Sequence, residues 1–138
     1  MFDHCLYFNT TALARVLERE WTRAFKPFGL TPSQAFMLRA VLNKPGMLQS
    51  ELAGELVISR ATASRTLDGL QKLGMVLRVA TDRDGRESAI QPTATALEIQ
   101  ERLNAASADV TRRLKKDLGS VRFDDTVRNV KDARAVIE

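Results

Sequence analysis

Chemically distinctive side chains are scarce in this chain: among 138 residues there is one Cys, one His, one Trp and one Tyr. Cys5 alone cannot build an intramolecular disulfide framework, and so little cysteine fits a reducing compartment, the cytoplasm. With His4 and Cys5 the only imidazole and thiol, a zinc site of the usual kind is excluded. No metal or other cofactor is expected. Apolar runs stay far short of the ~20 residues that span a bilayer, and the N-terminus carries no cleavable signal pattern. No membrane partner is therefore expected. Gly-rich phosphate loops are missing too, and no nucleophile is paired with a base. His4 and Cys5 are neighbours in sequence, so on a helix they would point about 100° apart. An enzyme is not expected.

What is present suits one folded domain. Hydrophobic residues make up 44% and charged residues 28%, with a net charge of +4 that leans weakly towards anionic partners. The charge is unevenly placed. Residues 1–47 carry six Lys and Arg against three Asp and Glu, residues 48–92 carry six of each, and residues 93–138 carry nine against eight. The middle of the chain is neutral in sum, so any positive surface there must come from placement.

Helical punctuation dominates. Leu6, Leu13, Val16, Leu17, Trp21, Ala24, Phe25 and Phe28 recur at helical spacing, which predicts one long helix over about 4–27. In GLTPSQAFMLRAVLNKPG, Gly29 ends one element and Thr31 caps the next. Pro32 suits the first helical position, Gln34 completes a capping box, and Pro45-Gly46 closes the helix. Then LQSELAGEL, a break at Val57-Ile58, and SRATASRTLDGLQKLG read as helix, turn and helix, with Ser59 as N-cap and Gly74 as stop. MVLRVA and ESAIQ alternate in the β manner around the charged stretch TDRDGRES, forming a ribbon. Thr93 to about Leu118 predicts a long helix broken at Gly119-Ser120. A last helix follows on Phe123, Val127, Val130 and Ile137. The expected fold is mainly α with a small β-wing, a winged helix-turn-helix head at about 31–92 between N- and C-terminal helices.

This order resembles the MarR family, the multiple-antibiotic-resistance type of winged helix-turn-helix regulator. The resemblance covers nearly the whole chain. It rests on GLTPSQAFML, on ELAGELVISRATASRTLDGLQKLGMVLR, and on DRDGR followed by a Thr-started helix. It implies a single domain over 1–138, with dimerisation helices at about 4–27 and 93–138. The implied function is a homodimeric, cytoplasmic, sequence-specific regulator of transcription that binds double-stranded DNA. Such a protein would act as a repressor on a pseudo-palindromic operator and be released by a small-molecule effector. Two features depart from the family pattern. Gly69 sits inside the second helix of the motif, costing about 1 kcal/mol of helix propensity, and QPTATALE replaces the usual Leu-Thr-x-x-Gly before the next helix.

Roles for particular residues follow. N-terminal residues of a recognition helix are the ones that reach base edges, here Ser59, Arg60, Thr62, Ser64 and Arg65. Arg60 and Arg65 can pair with guanine or with phosphate, and Thr62 and Ser64 can serve either. Ser50 can offer a hydroxyl or backbone N–H to phosphate, or simply start a helix. In wings of this family Arg86 would enter the minor groove, with Arg83 on phosphate or sharing that role. Asp82 or Asp84 would orient Arg86 by a charge-assisted hydrogen bond. The bland alternative for the whole stretch is a solvated turn. Trp21, Phe25, Phe28, Phe36 and Met37 are either core or the lining of a cavity for a small aromatic or amphipathic effector.

Cys5 opens an alternative function, thiol-based redox sensing. Hydroperoxide sensors of the family carry a Cys in this region, hydrogen-bonded by tyrosines. Here Asn9 and Arg19 stand four and fourteen residues after Cys5, and Tyr7 would point away round the helix. A further alternative is a winged-helix module that binds protein, which the neutral head favours.

Overall fold

Local sequence chemistry sets nearly every helix boundary in the computed structural model, which describes residues 1–81 and 87–138. Asp82, Arg83, Asp84 and Arg86, the residues predicted at the wing tip, lie outside the described residues. Helix α1 spans Leu6–Phe25 and ends in a 3-10 turn at Lys26–Phe28, where Gly29 takes a left-handed conformation. Helix α2 spans Pro32–Asn43 behind a complete capping box. The Gln34 N–H donates to Thr31 Oγ1 at 3.2 Å, and the Thr31 N–H donates to Gln34 Oε1 at 3.0 Å.

Strand β1, Met47–Leu48, leads directly into α3, Gln49–Leu56, and α4 follows at Arg60–Lys72. The turn between α3 and α4 passes through Val57, a β-branched residue with φ of 56°. Such a conformation costs about 1–3 kcal/mol and persists only where its surroundings impose it. Strands β2, Val76–Ala80, and β3, Ser88–Pro92, make the wing stem. The sheet order is β1-β3-β2 and both pairings are antiparallel, with Met47 opposite Ile90 and Arg78 opposite Ile90 on the other side. Pairing of β1 was not foreseen from sequence, since a two-residue strand has no period to read.

Thr93 caps α5, Ala94–Leu118. Its Oγ1 accepts the Ala96 N–H at 3.2 Å and its hydroxyl donates to the Gly74 carbonyl at 2.7 Å, so the unusual helix start still works as a cap and is tied back to the head. Gly119 then turns the chain into α6, Ser120–Ile137. No helix among the described residues is long and apolar enough to cross a membrane.

The core is shared by the head and the first half of α5. Phe25, Met37, Leu38, Leu52, Leu67, Leu70, Ile90 and Leu103 are fully buried there. Phe25 and Met37 are thus core residues, and Phe28 packs on the core with the Arg102 guanidinium over its ring. Of the two alternatives, core or cavity lining, these three are core. Gly69 lies where α4 crosses α2: a Cβ there would come within 2.8 Å of the Gln34 side-chain nitrogen. The glycine therefore leaves room for the Gln34 amide, whose oxygen completes the α2 capping box, which offsets its poor propensity.

Candidate nucleic-acid interface

The second helix of the motif is built to present its N-terminus. Ser59 stands outside α4 in extended conformation, and its Oγ accepts the Thr62 N–H at 3.1 Å. The same hydroxyl donates to Thr62 Oγ1 at 2.9 Å, and Arg65 Nη2 donates to that oxygen at 3.4 Å. Three of the predicted contact residues are therefore joined before any ligand arrives. Arg60 and Arg65 are exposed and make no ion pair among the described residues, which leaves their guanidinium charge available. Ser64 is half-buried and Thr62 half-buried.

Ser50 and Arg60 are brought together. They share a recess of about 190 Å³ with Gln49 and with Glu87 and Ser88 at the base of the wing. The first turn of α3, the first turn of α4 and the wing stem thus face one another. The predicted residues thus fall into two groups, Ser50 with Arg60, and Ser59 with Thr62 and Arg65. Roles assigned to Asp82, Arg83, Asp84 and Arg86 fall outside the described residues.

Sequence reasoning missed the residue that holds this arrangement. Arg78, on β2, points inward and donates to four acceptors: Asp68 Oδ1 at 2.7 Å, Gln71 Oε1 at 3.0 Å, the Ser64 carbonyl at 3.1 Å and Gln49 Oε1 at 3.4 Å. One planar guanidinium thereby fixes α4 against both α3 and the wing stem, a use of arginine's fork geometry that lysine could not copy. Its inward position, two residues after buried Val76, was the signal available in the sequence.

The opposite side of α4 faces α1. There Leu17, Glu18, Trp21, Phe36, Thr62 and Thr66 line a cavity of about 410 Å³. Of the five residues weighed as cavity lining, Trp21 and Phe36 take that place. Thr62 touches both this cavity and the Ser59–Arg65 cluster, so one residue is common to the two sites. Behind the cavity, Ser107 is a buried hydroxyl that accepts from Trp21 Nε1 at 3.1 Å and from Arg39 Nη1 at 3.0 Å. Arg39 Nε also donates to Asn104 at 2.8 Å, and burial pushes the Arg39 guanidinium down from its usual pKa. This network joins α1, α2 and α5.

Cys5 is exposed and caps α1, its Sγ accepting the Phe8 N–H at 3.5 Å. Among the described residues no group of three or more His, Cys, Asp or Glu is placed to hold a metal ion.

Comparison with known proteins agrees with this fold. Residues 28–87 match the model of the MarR family. A candidate transcriptional regulatory protein for the hcr operon of Thauera aromatica is 26% identical over 98 residues, 65% of this chain and 59% of its own length. A MarR protein from Peptoclostridium difficile has the same fold, with a TM-score of 0.87, 18% identity and coverage of 98% of this chain and 88% of that one. The S. aureus MepR–DNA complex also matches in fold, with a TM-score of 0.87 at 15% identity over 99% of this chain and 100% of that one.

Proposed function

We propose that the chain is a member of the MarR family, whose model matches residues 28–87, and that it is a homodimeric, cytoplasmic, sequence-specific double-stranded DNA-binding regulator of transcription. In this reading it represses from a pseudo-palindromic operator and is released by a small-molecule effector. The observation that carries the reading is the start of α4, where Ser59, Thr62 and Arg65 are joined by hydrogen bonds and the exposed Arg60 shares a recess with Ser50, Glu87 and Ser88. Arg60 and Arg65 read guanine or hold phosphate, Thr62 and Ser64 serve either, Ser50 adds a hydrogen bond to phosphate, and Arg86, oriented by Asp82 or Asp84, enters the minor groove with Arg83 on phosphate or sharing that role.

Dimerisation is supported by the apolar side chains that α1 and α6 leave exposed, among them Leu13, Val16, Val127 and Val130. Release is supported by the cavity beside α4. A ligand that displaces Thr62 there also disturbs the hydroxyl to which Arg65 donates.

The test is binding of the purified protein to the DNA upstream of its own gene, against scrambled duplex, across several salt concentrations. Tight, selective binding that weakens with salt is expected, because each neutralised phosphate releases counterions. Arg65→Ala should cost about 1–3 kcal/mol if it contacts a base, and Arg86→Ala should also weaken binding. Binding with no preference over scrambled DNA and no salt dependence would favour the protein-interaction module, which the neutral head supports. A redox role is a second reading, carried by the exposure of Cys5. It requires that peroxide release DNA from the wild type and leave Cys5→Ser bound.

A further inference from the structure

The cavity between α1, α2 and α4 has the dimensions of a small-molecule site, and the chemistry of its lining is one-sided. Leu17, Trp21, Phe36 and Ile58 supply apolar and aromatic wall. Ser33, Thr62 and Thr66 supply hydroxyls, which accept and donate alike. Glu18 is the single charged residue of the lining, and no Lys, Arg or His joins it among the described residues.

Glu18 is also uncommitted. Among the described residues it forms no ion pair, although Arg15 and Arg19 stand near it on the same helix, around an adjoining depression. Arg39 is the other cation nearby. Its guanidinium lies 5.1 Å from the centroid of the Phe36 ring, but its N–H groups are turned to Asn104 and Ser107 on α5, and it does not line the cavity.

From this arrangement we infer that the cavity selects a lipophilic cation and discriminates against aromatic carboxylates. The inference rests on the cavity being the effector site. An apolar body buries against Leu17, Phe36 and Ile58, while a positive centre meets the Glu18 carboxylate and the electron-rich indole of Trp21. An aromatic acid of the same shape would bring its charge beside Glu18 with no cation in the lining to receive it. Hydroxyls do not distinguish the two, so the sign of the charge decides.

Trp21 is the only tryptophan in the chain, so its fluorescence reports on this cavity directly. Tetraphenylphosphonium and tetraphenylborate have nearly the same shape and opposite charge. At fixed ionic strength the phosphonium should quench Trp21 with an affinity about fivefold above that of the borate, a contrast suited to the exposed Glu18 carboxylate. Glu18→Gln should weaken the phosphonium roughly threefold and narrow the contrast, with the melting temperature unchanged. Equal binding of the two ions, tighter binding of the borate, or a contrast that survives Glu18→Gln would overturn the inference. If neither ion quenches Trp21, the effector reading of the cavity falls with it. If the phosphonium binds with the expected preference while operator DNA stays bound, the cation preference stands and the effector reading falls.

Discussion

The head and the base of this molecule use apolar residues in opposite ways. Between Thr31 and Pro92 the large side chains Met37, Leu38, Val41, Leu52, Leu67, Leu70, Val76 and Ile90 are fully buried. Helix α6 buries none of its residues and α1 buries only Phe25, while Leu6, Leu13, Val16, Val127, Val130 and Ile137 remain exposed. Between α1 and α6 these residues leave an apolar groove of about 450 Å³, lined by Leu13, Leu17, Phe123, Val127 and Val130. The head has thus buried most of its large apolar residues within one chain, leaving Phe36, Val57, Leu73, Leu77 and Val79 exposed, whereas α1 and α6 have buried almost none of theirs. Stability and assembly should accordingly respond to different substitutions.

The sharpest way to break this contrast is to charge the base. Val127→Asp combined with Val130→Asp should leave the folded content and melting temperature nearly unchanged, since neither side chain is buried. Sedimentation should show a monomer, and affinity for a two-half-site operator should fall by about 10²–10⁴, the gain that two linked contacts give over one. A dimer that persists would show that the apolar face of α6 is not the interface.

A smaller effect, confined to the head, is expected from Arg78→Ala. It strips a donor from Asp68, Gln71, Gln49 and the Ser64 carbonyl together. Asp68 is largely exposed and recovers water, so the loss should be about 1–3 kcal/mol in denaturant unfolding, with the dimer intact. DNA affinity should fall alongside it, because α4 loses its tie to the wing stem. Unchanged unfolding would mean that Arg78 decorates the head without holding it.

The smallest effect should come from Gly69→Ala. Helix propensity gains about 1 kcal/mol. Against this, the new methyl group pushes the Gln34 amide, whose oxygen completes the α2 capping box, and a cap is worth a similar amount. Thermal melts should therefore differ by less than about 0.5 kcal/mol. A clear gain would show that Gln34 moves freely.

Much of the fold could be read from sequence because its signals are local. Thr31 with Gln34, Ser59 with Thr62, Gly74, and Thr93 with Ala96 each act within about one helical turn, and each does what its spacing predicts. The features that escaped depend on residues far apart. Met47 becomes a strand only because Ile90 lies opposite, and Arg39 reaches a serine 68 positions away. The same holds within the site. The Ser59–Thr62–Arg65 cluster is a matter of helix geometry, whereas the four partners of Arg78 and the sorting of Trp21 and Phe36 from buried Phe25 and Met37 depend on packing between helices. Such packing leaves no spacing to read.

Helix α5 runs from the head, where Ala96 and Leu103 enter the core, to the base, where Arg113 meets Glu20 and Lys115 meets Asp124. Its 25 residues, Ala94–Leu118, at 1.5 Å per residue make a rod of about 37 Å. A tilt of about 5° at one end of such a rod carries the other end through about 3 Å, close to the ~3.4 Å rise between successive base pairs. On the proposed reading, a change of only a few degrees along α5 would be enough to carry the head from one base pair to the next.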